Sequence, residues 1–216
     1  MAPRFLSVAL DVDSTLCGIE GIDWLARLRR SDVADRVASA TDSAMRGEIP
    51  LESLYGHRLS LVAPTRAELE RLSTAYMEAL APDAKREIER WREAGVTVVL
   101  ISGGLREAIV PMAEALGFTR ESVNALEVAF DEHDAFLRFD SSSPLYTAEG
   151  KRTLLKKLNL PRPLLAVGDG MTDLAMKDVA DGFAAFTGFV TRDTVVSAAD
   201  YVVRSFTEIS EIIFGG

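Results

Sequence analysis

Histidine and cysteine are scarce in this chain. Among 216 residues there are two histidines, His57 and His133, and one cysteine, Cys17. A lone cysteine permits no internal disulfide and cannot build a thiolate zinc site, so a reducing compartment, the cytoplasm, is expected. Two distant histidines leave no HExxH metalloprotease pattern, and without a GxSxG elbow a Ser-His-Asp hydrolase is poorly supported. Basic tracts are missing too. The formal net charge is −9, so neither nucleic acid nor an anionic membrane is expected as a partner. No apolar run approaches the roughly 20 residues of a membrane span. The opening MAPRFLSVALDVDST is apolar in part, but Asp11 interrupts it and no small-residue cleavage site follows; it reads as a first strand, not a signal peptide. Any enzymatic chemistry must therefore come mainly from carboxylates, lysine and a hard metal ion.

Apolar residues are plentiful. At 48% hydrophobic, the chain can bury a substantial core, as one large domain or a core with a smaller insert. Residues 5–13 read as a buried strand. From about 20 to 80, four segments repeat apolar residues at three-to-four spacing with no strand signal between them, and PDAKREIERWREAG is a further amphipathic helix stopped by Gly95. VTVVLISGG is a second buried strand ending at Ser102, followed by a helix over about 105–116. VAFDEHDAFLRF alternates like a hairpin and EGKRTLLKKL is helical. PLLAVGDG is a third buried strand ending at Asp169, with a helix from about Thr172. GFAAF and DYVVR are short late strands, with a helix between them and another at the end. Alternating strands and helices give an α/β fold with a parallel sheet and right-handed crossovers. The expected division is a core of residues 1–16 and 82–216 and an inserted all-helical cap over 17–81.

Ligands of open α/β sheets gather beyond the carboxyl ends of the strands. Three apolar strands here end in polar signatures: Asp11 and Asp13; Ser102, Gly103 and Gly104; and Asp169 and Gly170 with Asp173 close behind. Two carboxylates one residue apart repel unless a proton or cation relieves them. A third acid makes the set suited to a hard cation such as Mg²⁺, which takes oxygen ligands and contacts phosphate. Each piece has a plainer reading: DVDST as a turn or helix cap, SGG as a strand-to-helix turn, Lys151 as a solvated helix residue. GDGMTD is not a dinucleotide fingerprint, since Asp173 replaces its third glycine and two acids would repel a pyrophosphate.

In this order, the pieces resemble the four motifs of the haloacid-dehalogenase superfamily: DVDST at Asp11–Thr15, ISGG at Ser102, GKRTLL at Lys151 and GDGMTD from Gly168 to Asp173. The resemblance spans nearly the whole chain and narrows to phosphoserine phosphatases. Glu20 follows DVDST as theirs does, and AMRGEIPLESLYGHRLSLV carries Met45, Leu51 and Arg58 at the matching places. Phenylalanine often stands at the position of Leu51 in that family, and asparagine at that of Thr172.

The resemblance implies a Rossmann-like core and phosphoryl transfer through an aspartyl-phosphate. Asp11 would be the nucleophile and Asp13 the acid, then the base. Ser102, the Gly103 N–H and Lys151 would hold the phosphate. Mg²⁺ would sit on Asp11, the Asp13 carbonyl and Asp169, with Asp173 orienting that shell. Glu20, Met45, Leu51, Arg58 and Thr172 would contact the substrate, O-phospho-L-serine, with Glu20 on its ammonium and Arg58 on its carboxylate. Two other readings stay open: transfer to another hydroxyl such as that of homoserine, or action on another small phosphomonoester; and a binding protein without turnover. A monomer or homodimer is expected. His57, Cys17, Trp24 and Trp91 read as packing or surface residues, and Arg192, in GFVTRD, is assigned no role.

Overall fold

The computed structural model describes residues 2–46 and 48–215, with the side chains of Ala44, Met45 and Leu51 outside the described set. Strand β1 (Ser7–Leu10) leads into four helices, α1 (Gly21–Ala26), α2 (Ser31–Met45), α3 (Leu51–Val62) and α4 (Arg66–Glu78). The chain continues through α5 (Ala84–Glu93), β2 (Thr97–Leu105), α6 (Arg106–Ala115) and β3 (Val123–Leu126). A hairpin of β4 (Val128–Phe130) and β5 (Phe136–Phe139) follows, then α7 (Gly150–Leu158), β6 (Leu164–Gly168) and a single turn, α8 (Met171–Leu174). Strand β7 (Gly182–Phe186), α9 (Asp193–Ala198), β8 (Tyr201–Val203) and α10 (Phe206–Phe214) complete it.

Six strands form one parallel sheet in the order β3-β2-β1-β6-β7-β8. The order runs outward in both directions from β1, so β1 is the switch point where such sheets open a crevice beyond their carboxyl ends. Its residues Ser7–Leu10 are all buried, as expected for a central strand covered on both faces. Helices α5 and α10 close one face, where Trp91 stacks on Phe206 at 5.8 Å and donates its indole N–H to Ser210 Oγ at 2.6 Å. Helices α1–α4 leave the sheet after β1 and return at α5 without adding a strand. The hairpin tip meets this block: Arg66 of α4 pairs with Asp134 at 2.8 Å and lies over the Phe130 ring at 4.7 Å.

Four differences from the sequence reading have physical causes. Strand β1 is shorter than residues 5–13: it ends at Leu10, and the chain reaches a left-handed Ser14 at φ 55° soon after. Strand β2 runs past Ser102 to Leu105, with its register against β3 shifted between Ile101 and Leu105, so SGG is a bulge within the strand rather than its end. Strand β3 was not expected: four residues, VNAL, are too few for a period to show. The helix from Thr172 is one turn, continued as a 3₁₀ segment over Ala175–Val179. Among the described residues, no helix is long and apolar enough to cross a membrane.

Candidate active site

The strand-end motifs converge. Asp11, Asp13, Gly103, Gly104, Lys151, Asp169, Thr172 and Asp173 line one cavity with Glu20, Gly21, Ile22, Tyr55 and Arg58 from the helical block. Asp11 follows β1 directly, and its N–H continues the ladder to the Val167 carbonyl at 3.0 Å. Asp169 follows β6, the neighbouring strand. Sheet pairing therefore fixes both carboxylates relative to each other. Lys151 projects from the first turn of α7 and donates to Asp11 Oδ1 at 2.5 Å and to Asp173 Oδ1 at 2.6 Å. Asp173 also accepts the Gly170 N–H at 3.0 Å, which closes the turn that presents it.

The bulge in β2 brings Ser102 Oγ within 3.4 Å of Asp13 Oδ2, and the same hydroxyl accepts the Gly104 N–H at 2.9 Å. Gly104 is demanded by closeness: a Cβ there would lie 2.8 Å from Asp13 Oδ2 and 3.1 Å from Ser102 Oγ. DVDST is a turn and not a helix cap, since Ser14 Oγ donates to Glu20 at 2.7 Å and Thr15 Oγ1 to Asp169 Oδ1 at 3.4 Å.

Burial sets the electrostatics. It pushes the Asp11 carboxyl up to about 7, aided by the charge of Asp173 and opposed by Lys151. Burial and then the Asp11 charge push Asp13 up to about 6. Glu20 rises to about 7 through burial and the charge of Asp13, and burial followed by Glu20 raises Asp169 well above the usual carboxylate range. Burial would lower the Lys151 ammonium, but Asp11 and Asp173 outweigh it and raise it.

Five carboxyls line the cavity against two cationic side chains, Arg58 and Lys151. Asp11, Asp169 and Asp173 bring oxygens within 4.8 Å of one another, and Asp169 Oδ2 has no hydrogen-bond partner among the described residues, with the Arg192 guanidinium beside it at 3.1 Å. Excess negative charge and hard oxygen donors fit a divalent cation of the Mg²⁺ type.

Two charged residues from the helical block reach this cavity. Arg58 is only 4% exposed; it pairs with Asp23 Oδ1 at 3.3 Å, and its Nε is buried without a partner among the described residues. Glu20 lies on the cavity wall. Met45 and Leu51 fall on α2 and α3, but their side chains lie outside the described set. His57 is exposed, Cys17 and Trp91 are buried and Trp24 is half-buried, all away from the cavity lining.

Sequence reasoning missed several residues. Arg192, in the loop after β7, reaches Asp169 Oδ2 at 3.1 Å and Glu20 at 3.9 Å. Its signal was available, since that loop also leaves the carboxyl end of a buried strand. Tyr55 donates to the Gly103 carbonyl at 2.9 Å and Tyr76 to Asp13 Oδ1 at 2.7 Å. Asp23 carries Arg58 and accepts the Thr41 hydroxyl at 2.5 Å. No local pattern marks these last three as different from core or surface positions on amphipathic helices.

Comparison with known proteins agrees with this geometry. Residues 8–177 match the family of haloacid dehalogenase-like hydrolases. The chloroplastic phosphoserine phosphatase of Arabidopsis thaliana is 34% identical over 208 residues, covering 94% of this chain and 70% of that protein. Phosphoserine phosphatase of Homo sapiens is 32% identical over 206 residues, covering 94% and 91%. The crystal structure of a phosphoserine phosphohydrolase-like protein from Francisella tularensis subsp. tularensis SCHU S4 shares the fold, with a TM-score of 0.89 at 24% identity over 96% of this chain and 99% of that one. A phospho-aspartyl intermediate analogue of phosphoserine phosphatase has a TM-score of 0.83 at 24% identity, over 97% and 99%. With motifs, cavity and relatives in agreement, this chain belongs to the phosphoserine phosphatase family of haloacid dehalogenase-like hydrolases.

Proposed function

We propose that the protein hydrolyses O-phospho-L-serine to L-serine and phosphate through an aspartyl-phosphate on Asp11. The observation that carries this reading is the placing of Glu20 and Arg58, opposite charges from the helical block, on the wall of the cavity that holds Asp11 and Lys151. A phosphorylated amino acid carries an ammonium and a carboxylate beside its phosphate. Glu20 pairs with the first, and Arg58, whose buried Nε has no partner among the described residues, donates two parallel hydrogen bonds to the second. Thr172, at the cavity edge, contacts the same substrate.

In the first half-reaction a carboxylate oxygen of Asp11 bonds to phosphorus while the phosphorus–serine oxygen bond breaks. Asp13 gives its proton to the departing oxygen. In the second, Asp13 takes a proton from water, which attacks phosphorus and frees Asp11. Ser102, the Gly103 N–H and Lys151 hold the phosphoryl oxygens and stabilise the charge that grows on them. Lys151 already lies against Asp11, so it screens the nucleophile from the incoming anion as well. Asp11, the Asp13 carbonyl and Asp169 are the groups that would hold Mg²⁺, with Asp173 beside them; bound there, it supplies positive charge for nucleophile and phosphoryl group alike.

The cavity has room for about 50 Å³, against about 300 Å³ or more for ordinary ligand clefts. Residues 17–81 therefore act as a cap over a core of residues 1–16 and 82–216, opening to admit substrate and closing to exclude water. A cytoplasmic location fits the single buried, reduced cysteine.

The test is phosphate release from L-phosphoserine beside a panel of small phosphomonoesters, with Mg²⁺ and with chelator. A strong, metal-dependent preference for phosphoserine supports the full assignment. A broad or displaced preference keeps the Asp11 chemistry and removes the substrate roles of Glu20 and Arg58.

A further inference from the structure

We propose that Tyr76 is a positioning residue for Asp13, clamping one carboxyl oxygen so that the other is presented to the leaving group. The proposal rests on the reading of Asp13 as acid and base given above. Tyr76 lies in the last turn of α4 and is fully buried. Its hydroxyl donates to Asp13 Oδ1 at 2.7 Å, and the Gly21 backbone N–H donates to the same oxygen at 2.7 Å. Oδ2 faces the other way, 3.4 Å from Ser102 Oγ in the bulge assigned to phosphate.

An aspartate's terminal torsion is broad and roughly two-fold. Left alone, the carboxyl would exchange its oxygens or swing off line. Two donors on Oδ1 remove that freedom and leave Oδ2 toward the reacting centre, the preorganisation that positioned proton transfer needs.

A buried tyrosine hydroxyl must find an acceptor somewhere, but two further observations set this one apart from ordinary packing. A methyl group on Gly21 would overlap the Tyr76 hydroxyl, so residue 21 must be glycine for both donors to reach one oxygen. The end of α4 is also tied to the DVDST loop: the Gly18 N–H donates to the Ala79 carbonyl at 2.8 Å, and the Ala81 N–H to the Leu16 carbonyl at 2.9 Å. Tyr76 thus belongs to the root of the helical block and keeps its place on Asp13 when the rest of the block moves.

The clamp matters where the departing oxygen needs its proton. An alkoxide does and an activated phenolate does not, so the effect of losing the clamp should follow the leaving group. The experiment is single-turnover alcohol release by full-length Tyr76→Phe, over a series of phosphomonoesters from alkyl phosphates to p-nitrophenyl phosphate, with Asp13→Asn in parallel. Expected is a roughly tenfold loss on alkyl phosphates, under about twofold on p-nitrophenyl phosphate, with the half-saturating concentration unchanged, the size of one lost positioning hydrogen bond. Gly21→Ala, which keeps the phenol but displaces its hydroxyl, should give the same slope and serves if Tyr76→Phe folds poorly by thermal melting. A loss equal across the series, or none, while Asp13→Asn shows the leaving-group slope, overturns the clamp and leaves the role of Asp13 standing. A flat series for Asp13→Asn removes that role and the clamp together.

Discussion

The carboxylate cluster at the rim of the sheet and the helical block above it reach the same cavity by different means. Asp11 and Asp169 each follow a buried strand directly, and those strands pair with one another from Ser7 opposite Leu164 to Leu10 opposite Val167. Their placement is inherited from backbone ladders. Glu20, Asp23, Tyr55 and Arg58 come from a loop and two helices with no ladder to place them, and reach the cavity through side-chain contacts such as Arg58 to Asp23 at 3.3 Å and Tyr55 to the Gly103 carbonyl at 2.9 Å. Elements that open are drawn from the less tightly held parts of a protein. On the proposed reading, the rim carries the chemistry common to all substrates, and the helical block carries the choice among them.

This division is sharpest in two substitutions. Asp11→Asn removes the nucleophile and should lower turnover by about 10⁴-fold or more on every phosphomonoester. Arg58→Ala should lower kcat/KM for phosphoserine by about 10- to 100-fold, the worth of a charge-assisted bidentate contact of about 1.5–3 kcal/mol, with p-nitrophenyl phosphate changed less than about twofold. Equal losses on both substrates for Arg58→Ala would show that the arginine holds the fold together and does not select.

The same contrast explains what could be read in advance. Strand-end acids are legible because a buried strand has a strong pattern and its carboxyl end has a fixed meaning in a parallel sheet. Lys151 and Ser102 became legible only as members of an ordered set. Tyr76 and Asp23 were not, because what distinguishes them is a single contact across tens of residues, 63 in sequence for Tyr76 to Asp13 and 35 for Arg58 to Asp23. Helical periodicity says that Tyr76 faces inward; it does not say that a carboxylate waits there. Strand β3 was lost because four residues ending at the start of a hairpin carry no period of their own.

The cavity carboxyls, Glu20 of the helical block among them, and the ion-paired Glu68 of that block should answer pH with opposite sign. Without metal, burial holds Asp11 and Glu20 at about 7 and Asp13 at about 6, above their ordinary values of 3.8, 4.5 and 3.8. The folded state then keeps protons that the unfolded chain has released, so stability falls as pH rises from about 4 to about 7. Glu68 of the helical block is held down to about 2 by the hydrogen bond from Arg29; its contribution is complete above 4.5 and is lost as pH falls toward 2. The chelated protein should therefore melt highest on the acid side of neutral. Mg²⁺ added at neutral pH should raise the melting point and flatten the decline, by about 2.7 kcal/mol at a hundredfold excess over its Kd. A chelated melting point that climbs steadily from pH 4 to 7 would contradict the burial of those carboxyls.

The smallest effect separates the regions most directly. Helix α4 begins with a capping box: Thr65 Oγ1 accepts the Glu68 N–H at 3.3 Å and Glu68 accepts the Thr65 N–H at 2.9 Å, while Arg29 grips the same carboxylate with two bonds of 2.7 Å. Thr65→Ala removes one half of the box and should cost about 1 kcal/mol. If the helical block opens as its own unit, that cost appears as faster amide exchange in α2, α3 and the first turns of α4, with β1 and β6 unchanged and turnover of p-nitrophenyl phosphate intact. Exchange that quickens equally in β1 and β6 would mean that block and sheet open together, and the cap would then need to admit substrate by some motion smaller than its own release.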